Sequence, residues 1–493
     1  MFFYSTRNRA LNLSASAAIV KGISDDGGLF VPSSFPVIEK DEWEKLLNSS
    51  YSERAALVMG KYLTDFTYDE LLEICNNAYA KFDGEDPAPV VKTRENEYIL
   101  ELWHGPTSAF KDMALTVLPY LLTASKKKLG NDNKTLILVA TSGDTGKAAL
   151  EGFSDVPGTE IIVFYPNAGV SPMQELQMVS SRGENVHVAA LNGNFDDAQT
   201  AVKTIFTSDA CKDELKKLGY DLSSANSINF GRLVPQVVYY VSAYCDLVNA
   251  GEINMGDKIS FSIPCGNFGN ILAGYYAKRM GLPVDKLICA SNTNKILYDF
   301  ISTGTYDVKR EFYKTVSPSM DILVSSNLER FLFELGNRDD KALSEKMNSL
   351  KENGVYSVSS DELKMMQETF LCGWTSEEDT TGTIEEYFDD CGYALDPHTA
   401  VAVCVNQNLV NDNKVDTKIV TVSTASAYKF PTVVLEALTG TKTDDAFLAC
   451  DKLEEYTAEA QPEGLAVLKS LPRRHNTVCD RDKIFDTVVN FLK

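Results

Sequence analysis

The chain is poor in positive charge and in histidine, and it has no long apolar run. Its 493 residues include 69 acidic and 47 basic side chains, which leaves a net charge of −22 at pH 7. A surface of that sign repels nucleic acid and anionic membranes, so we expect neither as a partner. No apolar stretch approaches the roughly 20 residues that would span a membrane.

Metal-binding and disulfide patterns are also missing. The ten cysteines are scattered without a Cys-x-x-Cys pair, and the four histidines do not combine with them at the spacing of a zinc site. We therefore expect reduced, mostly buried thiols in an intracellular protein. The first 24 residues carry Arg7, Arg9 and Lys21 but no acid, a weak likeness to a transit peptide. A cytoplasmic location is expected, with a mitochondrial one as the less favoured alternative.

Composition and periodicity indicate a globular protein with several domains. With 44% hydrophobic and 24% charged residues, the chain can form a large core, and its length suggests two or three domains. Apolar residues at helical spacing between about 36 and 82 predict a mostly helical N-terminal extension over residues 1–88. The segment DPAP at residues 86–89 breaks that pattern and marks the boundary.

Downstream, continuous apolar runs alternate with helical patterns. The runs lie at residues 135–141, 160–165, 186–191 and 258–263, and further apolar runs follow at 401–405 and 418–422. Buried strands that alternate with helices are typical of an α/β fold with parallel sheets covered on both faces. We expect a small α/β domain over residues 131–254 and a large one over 89–130 and 255–493, with a helical elaboration at about 305–395.

The segment HGPTSAFKD at residues 104–112 places Lys111 among apolar neighbours, and the apolar residues after it fit one face of a helix. A desolvated lysine has a lowered pKa and becomes a nucleophile that can form an imine with an aldehyde. A simpler interpretation is a surface lysine at a helix start, where Asp112 favours the helix N-terminus. The chemical interpretation depends on two further segments.

Each of two glycine loops follows a predicted strand and opens a predicted helix. In GNFGN, the backbone N–H groups of Gly266, Asn267, Phe268, Gly269 and Asn270 can surround a phosphate. The loop SGDTG at residues 142–146 repeats this arrangement and adds hydroxyl groups. It is not a nucleotide-binding P-loop, because Thr141 replaces the first glycine and Ala148 follows Lys147. A glycine turn used only for tight packing is the alternative. A reactive lysine with two anion loops predicts pyridoxal phosphate as the cofactor.

Other polar residues lie between the apolar stretches. Arg232, close to Asn229, can bind a substrate phosphate through two parallel hydrogen bonds or can form a structural ion pair. His104 and His398 belong near these motifs, although histidines in such positions are more often structural. Cys265, next to the second loop, is expected to be a small apolar filler.

Together these segments resemble the threonine synthase family, in the longer branch found in fungi and many bacteria. The family's lysine motif HGPT-x-AFKD is matched at residues 104–112, its substrate loop TSGDTG at 141–146 and its phosphate loop GNFGN at 266–270. Further matches lie at residues 26–32, 171–175, 193–197, 226–229 and 317–322. The likeness runs over nearly the whole chain.

The resemblance implies a fold type II pyridoxal phosphate enzyme, similar to the tryptophan synthase β-subunit, that converts O-phospho-L-homoserine and water into L-threonine and phosphate. It implies that Lys111 holds the cofactor covalently and moves protons, that residues 266–270 bind the cofactor phosphate, and that Thr424 faces the pyridine nitrogen. Substrate binding falls to Ser142, Gly143, Asp144, Thr145, Asn229 and Arg232. We expect a monomer or a homodimer.

One segment departs from the family pattern. Where the family reads STAHPAKF, residues 423–430 read STASAYKF, so Ser426 and Ala427 replace the His-Pro pair. The change bears on the loop geometry and on the final hydration step. Two alternatives stay open: a phospho-lyase of the same fold that gives 2-oxobutyrate and ammonia, and a catalytically silent relative that binds or signals. Retention of Lys111 and both loops favours an enzyme.

Overall fold

The structure, a computed structural model, describes residues 1–141, 144–167 and 170–493. Its N-terminal region combines a small antiparallel sheet with helices. These elements are β1 (Phe3–Ser5), β2 (Asn8–Leu13), α1 (Ala15–Lys21), β3 (Phe30–Pro32), α2 (Lys40–Leu47), α3 (Tyr51–Tyr62) and α4 (Tyr68–Tyr79).

The next part of the chain crosses from one sheet to another. It contains β4 (Val90–Arg94), β5 (Glu97–Glu101), α5 (Asp112–Leu115), α6 (Leu118–Lys128), β6 (Lys134–Ala140), α7 (Asp144–Phe153), β7 (Thr159–Pro166), α8 (Pro172–Val179), β8 (Val186–Asn192), α9 (Phe195–Thr207), α10 (Asp209–Lys217), β9 (Tyr220–Ser223) and α11 (Phe230–Asn249).

The remainder returns to the first sheet and ends in the second. Its elements up to the last central strand are β10 (Ile259–Pro264), α12 (Gly269–Arg279), β11 (Val284–Ser291), α13 (Ile296–Thr303), β12 (Thr305–Asp307), α14 (Leu328–Leu335), α15 (Asp340–Asn353), β13 (Val355–Ser357), α16 (Ser360–Thr369), β14 (Phe370–Trp374), α17 (Glu377–Cys391), α18 (Pro397–Asn411) and β15 (Ile419–Ser423). The C-terminal elements are α19 (Pro431–Thr439), α20 (Ala446–Thr457), α21 (Glu463–Ala466), β16 (Thr477–Asp480) and α22 (Ile484–Leu492).

Within the described ranges the strands form two principal sheets. The larger has the order β14-β11-β10-β15-β5-β4, and the smaller has the order β16-β8-β7-β6-β9. The smaller sheet is parallel throughout, and the larger is parallel except that β4 runs antiparallel to β5. Every residue of β10 and β15 is buried, as expected for central strands covered on both faces.

Local sequence explains where the N-terminal helices begin. The hydroxyl groups of Ser50 and Thr67 accept hydrogen bonds from the first turns of α3 and α4. Glu53 and Glu70 accept hydrogen bonds from the two capping backbones in return, which completes a capping box at each helix. Helix α3 packs against α11, and α4 packs against α3.

Several elements differ from the sequence-based expectation. The pattern after Lys111 forms two helices, α5 and α6, because Pro119 lies in the first turn of α6, where its missing N–H is not needed. The apolar run at residues 401–405 lies in helix α18, which Asp396 caps. The supposed helical elaboration contributes β14 to the larger sheet. The C-terminal segment, expected with the large domain, instead pairs β16 with β8 of the smaller sheet.

Among the helices in the described ranges, none has the length and apolarity needed to cross a bilayer. The same ranges contain no group of three or more His, Cys, Asp or Glu side chains placed to hold a metal ion.

Candidate active site

A cavity of about 730 Å³ lies where strands of both principal sheets end. Parallel α/β folds commonly bind ligands at the carboxyl ends of their strands. Of the site residues that the sequence predicts, the lining includes Lys111, Thr145, Asn229, Arg232, Gly266, Asn267, Phe268, Gly269, Asn270 and Thr424. Asp144 does not line the cavity, and Ser142 and Gly143 lie outside the described residues.

Lys111 lies at the start of α5, with its side chain 14% exposed. Its Nζ donates to Ser319 Oγ at 3.4 Å and lies 4.0 Å from Asp144 Oδ2. Burial lowers the pKa of Lys111, the negative charge of Asp144 opposes this, and the positive charges of Lys429 and Arg232 reinforce it. A lowered pKa leaves more of the amine neutral and nucleophilic.

The loop before the lysine is fixed by Asp112. Thr107 donates to the Asp112 carboxylate from its backbone N–H at 2.8 Å and from its hydroxyl at 2.7 Å. A Cβ on Gly105 would lie 2.5 Å from the Cβ of Asp112, so no side chain fits there. The backbone N–H of Phe110 donates to the carbonyl oxygen of Thr424 at 2.9 Å. The lysine and Thr424 are thus held together.

The loop at residues 266–270 joins β10 to α12. Phe268 has a left-handed backbone (φ 62°), which turns the chain sharply into the helix. A Cβ on Gly266 would lie 2.7 Å from the carbonyl oxygen of Ser319, so the glycine allows close packing. The loop lies at the N-terminus of α12, where free N–H groups and the helix dipole favour an anion.

Asn270 carries an unpaired donor at this loop. Its Oδ1 accepts hydrogen bonds from the hydroxyls of Tyr239 and Tyr240 at 2.6 and 2.7 Å, which fixes the orientation of the amide. Its Nδ2 is buried and has no hydrogen-bond partner among the described residues. A buried donor without an acceptor is unfavourable, so an acceptor from a ligand is expected there. The loop therefore fits the phosphate of pyridoxal phosphate.

Arg232 forms a second anion position in the same cavity. Its Nη1 donates to the carbonyl oxygen of Ala225 at 2.8 Å, whereas its buried Nε has no partner. Burial lowers the pKa of Arg232 to about 10, so the guanidinium stays charged at neutral pH. It makes no ion pair within the described part of the chain, so the structural ion pair that the sequence left open is not seen there. A buried cation is stable only when an anion or hydrogen bonds compensate it.

Asp144 lies between two lysines rather than in the cavity wall. Its Oδ1 is 3.4 Å from Lys429 Nζ, and its Oδ2 is 4.0 Å from Lys111 Nζ. Burial tends to raise the pKa of Asp144, but the charges of Lys429 and Lys111 hold the pKa at about 2. The carboxylate is ionised, and its buried Oδ1 accepts no hydrogen bond from the described residues, so a substrate contact of Asp144 stays a prediction.

Asn229 lines the cavity, but its side-chain amide is already hydrogen-bonded to the backbone. Its Oδ1 accepts from the backbone N–H of Gly231 at 2.9 Å, which caps α11, and its Nδ2 donates to the carbonyl oxygen of Ile19 at 3.0 Å. Thr145 reaches the cavity from the first turn of α7. Arg232 and Thr145 are therefore the described residues best placed to contact a substrate anion.

Sequence reasoning gave little weight to His398 and did not single out Ser319. Both line the cavity, and the backbone N–H of Ser319 donates to His398 Nε2 at 3.1 Å. His398 Nδ1 lies 2.8 Å from Asp396 Oδ1, so the ring is held between Asp396 and the backbone of Ser319. The family likeness at residues 317–322 was the available signal for Ser319.

The residues that replace the family's His-Pro pair form their own hydrogen bonds. The backbone N–H of Ser426 donates to the carbonyl oxygen of Ser108 at 3.1 Å, and its Oγ accepts from the backbone N–H of Tyr428 at 3.3 Å. The buried Tyr428 hydroxyl donates to the carbonyl oxygen of Glu459. The loop is held in place, and Thr424 keeps its position in the cavity wall.

Comparisons with known proteins agree with this geometry. Family models described as "Threonine synthase N terminus" and "Threonine synthase, C-terminal" match residues 2–79 and 399–488. Human Threonine synthase-like 1 is 40% identical over 95% of this chain and 62% of its own length. Threonine synthase of Pseudomonas aeruginosa is 39% identical over 89% of this chain and 90% of its own. The chain spans about 62% of the length of the threonine synthase-like 1 relatives.

Solved structures extend the likeness to three dimensions. The pyridoxal phosphate-bound threonine synthase of Brucella melitensis has a TM-score of 0.89 and 36% identity, with full coverage of both chains. Yeast threonine synthase has a TM-score of 0.89 and 31% identity, with coverage of 99% of this chain and 98% of its own.

The parallel sheets and the cavity at their ends define the fold type II class of pyridoxal phosphate enzymes. Within that class, the chain belongs to the threonine synthase family. The fold class and the family resemblance predicted from the sequence are both confirmed.

Proposed function

We propose that the protein is a threonine synthase that uses pyridoxal phosphate to convert O-phospho-L-homoserine and water into L-threonine and phosphate. The observation that carries this proposal is one cavity lined by a mostly buried lysine, a glycine loop at a helix N-terminus and an arginine that makes no ion pair with the described residues. Two anion positions near one amine suit a phosphorylated cofactor and a phosphorylated substrate. Identity of 36–39% to curated threonine synthases supports the assignment.

When bound, pyridoxal phosphate supplies an electron sink that stabilises negative charge on substrate carbon. Lys111 would hold the cofactor, and its amine would take and return protons beside the reacting carbons. The lowered pKa suits this role, because the amine must be neutral to accept a proton. Thr424 would hold the pyridine ring of the cofactor, and Arg232 would bind the substrate phosphate and stabilise the negative charge that develops on it.

Local charge explains how an anionic substrate reaches an acidic protein. The whole chain carries a net charge of −22, which repels a phosphate ester at long range. Around the cavity, however, Lys111, Lys429 and Arg232 lie close to the Asp144 carboxylate. Lys21 and Lys203 also line the cavity, so cationic side chains are available to attract the substrate phosphate.

Loss of phosphate without productive hydration is the second candidate reaction. Curated relatives at similar identity include both threonine synthases and threonine synthase-like 1 proteins. Ser426 and Ala427, in place of the family's His-Pro pair, lie beside the lysine loop. A lyase of this kind needs the same residues up to phosphate release, so the two reactions differ only in their final products. The cytoplasmic location and the monomeric or dimeric state stay predictions.

Product identification separates the candidates. The purified, cofactor-loaded protein is incubated with O-phospho-L-homoserine, and phosphate, threonine, 2-oxobutyrate and ammonia are quantified. Equal amounts of threonine and phosphate support threonine synthase. Phosphate with 2-oxobutyrate and ammonia supports the lyase, and no phosphate release supports a silent relative. Lys111→Ala is the matched control and should abolish phosphate release.

A further inference from the structure

We propose that Lys429 is a positioning residue for the reactive lysine: it holds the Asp144 carboxylate away from the Lys111 amine and joins the two sheets at the lysine loop. The inference rests on the proposed role of Lys111 as the cofactor lysine.

Lys429 makes two hydrogen bonds and one ion pair. Its Nζ donates to the carbonyl oxygen of Thr107 at 3.0 Å and to Gln177 Oε1 at 3.1 Å, and it lies 3.4 Å from Asp144 Oδ1. The side chain is only 2% exposed. Lysine is rarely buried so completely unless it is paired, so this position has a specific task.

The three partners of Lys429 come from different parts of the fold. Lys429 follows β15 of the larger sheet in a short 3-10 turn, and Thr107 belongs to the loop that leads to Lys111. Asp144 begins α7 and Gln177 lies in α8, two helices that connect strands of the smaller sheet. A single ammonium group therefore connects helices α7 and α8 to the loop that leads to Lys111.

The Asp144 carboxylate is shared between the two lysines, with Oδ1 towards Lys429 and Oδ2 towards Lys111. Without Lys429 the carboxylate would have one nearby cation left and would pair more closely with Lys111. A closer carboxylate stabilises the protonated amine, so a higher pH is needed before the amine is neutral and can react.

Other charged groups also face Lys111, but they are held by contacts independent of Lys429. The Asp112 carboxylate is fixed by the Thr107 backbone N–H and hydroxyl, and Arg232 is fixed by the Ala225 carbonyl. His398 approaches through Ser319, whose backbone N–H it accepts. A change at Lys429 should therefore reach Lys111 by two routes, the charge of Lys429 itself and the position of Asp144.

Attachment of the cofactor reports the protonation state of Lys111 directly. The neutral amine adds to the aldehyde of pyridoxal phosphate, a carbon–nitrogen double bond forms, and one water molecule leaves. Because only the neutral amine reacts, the midpoint of the attachment rate against pH follows its pKa. Lys429→Met should raise this midpoint by about one pH unit, and Asp144→Asn should lower it by a similar amount.

The experiment mixes cofactor-free protein with pyridoxal phosphate across a pH series and follows attachment by absorbance. Borohydride reduction and peptide mapping confirm that Lys111 is the modified residue. Two matched variants keep the charge pattern: Lys429→Arg retains the cation, and Gln177→Leu removes one acceptor without changing a charge. Both should keep the wild-type midpoint, and circular dichroism checks that each variant is folded.

Opposite shifts in Lys429→Met and Asp144→Asn support the inference when the Lys429→Met shift is also smaller in the Asp144→Asn background, because a direct charge effect of Lys429 would persist there unchanged. Shifts in the same direction indicate loosened packing and overturn it, as do unshifted midpoints. If Lys429→Met does not fold, an unshifted Asp144→Asn midpoint is sufficient to reject the proposal. If the wild-type protein is labelled at Lys111 but the variants show no shift, the inference fails and the proposed function stands. If the wild-type protein is labelled at a different lysine, both the inference and the proposed function fail.

Discussion

At the scale of single residues, the ligand positions are marked by polar atoms that the fold leaves unpaired. Asn270 Nδ2 and Arg232 Nε are buried and find no hydrogen-bond partner in residues 1–141, 144–167 and 170–493, although neighbouring groups orient both side chains. Burial of an unpaired donor is unfavourable by about 1–3 kcal/mol, so such atoms persist where a ligand completes them. One lies at the cofactor loop and the other lies apart from it, which gives the two phosphates separate positions.

Replacing Arg232 with Ala should weaken substrate binding selectively. A charged hydrogen bond to phosphate is worth roughly 2 kcal/mol, so KM for O-phospho-L-homoserine should rise about 30-fold. The affinity for pyridoxal phosphate should stay within about twofold, since we propose that residues 266–270, and not Arg232, hold its phosphate. Steady-state kinetics and a cofactor titration measure the two quantities.

Arg182→Ala is the matched control, because Arg182 is exposed and absent from the cavity lining. It removes the same charge and should change neither quantity. Equal losses of substrate and cofactor affinity in Arg232→Ala would contradict a substrate role.

At the scale of elements, the phosphate loop is a strand–loop–helix turn held against a second segment. The hydroxyl of Ser325 donates to the carbonyl oxygen of Gly266 at 2.8 Å, and the backbone N–H of Asn327 donates to the carbonyl oxygen of Asn267 at 3.1 Å. The loop therefore depends on residues 317–327 for its shape, not only on its own glycines.

Gly266→Ala should push these two segments apart. The added Cβ would lie 2.7 Å from the backbone oxygen of Ser319, which has little freedom to move. Overpacking of this kind costs about 1–3 kcal/mol, so affinity for pyridoxal phosphate should fall about tenfold or more. Affinity for pyridoxal, which lacks the phosphate, should fall less. Fluorescence titration with both compounds measures the difference.

Gly382→Ala provides the contrast within helix α17, where a Cβ meets nothing within 4 Å. It should leave cofactor affinity unchanged and raise stability by about 0.5–1 kcal/mol through helix propensity. Unchanged pyridoxal phosphate affinity in Gly266→Ala would argue against a phosphate site at this loop.

Some elements could be predicted from the sequence and others could not. Strands β6, β7, β8 and β10 are mostly buried, so continuous apolar runs in the sequence predict them. Strand β16 is short and mostly exposed, and it joins the smaller sheet only through pairing with β8. The run at 401–405 is equally apolar in a buried helix, and the Asp396 cap was the missed sign.

At the scale of the whole molecule, the site lies where the two principal sheets meet. Segments distant in sequence pack against these sheets. The C-terminal helix α22 buries Val488 and Ile484 against the core of the smaller sheet. The lysine motif and both loops could be located from local sequence, because each is a contiguous pattern. The contact of Lys429 with Asp144 has no local signature and needs the assembled fold.

Val488→Ala should destabilise the smaller sheet and the site it supports. Val488 is fully buried, so its truncation should lower the free energy of unfolding by about 2 kcal/mol. Val478→Ala on strand β16 is the matched control, because Val478 is 52% exposed and its truncation should change stability by less than about 0.5 kcal/mol. Urea unfolding compares them, and equally small effects would contradict a structural role for the C-terminal segment.

Covalent attachment of pyridoxal phosphate at Lys111 is the most direct test of the account. The cofactor-loaded protein is reduced with borohydride and digested, and the modified peptide is sequenced by mass spectrometry. We predict a single pyridoxyl group on Lys111, which Lys111→Ala removes. A tag on a different lysine, or no tag on protein saturated with the cofactor, would contradict the account.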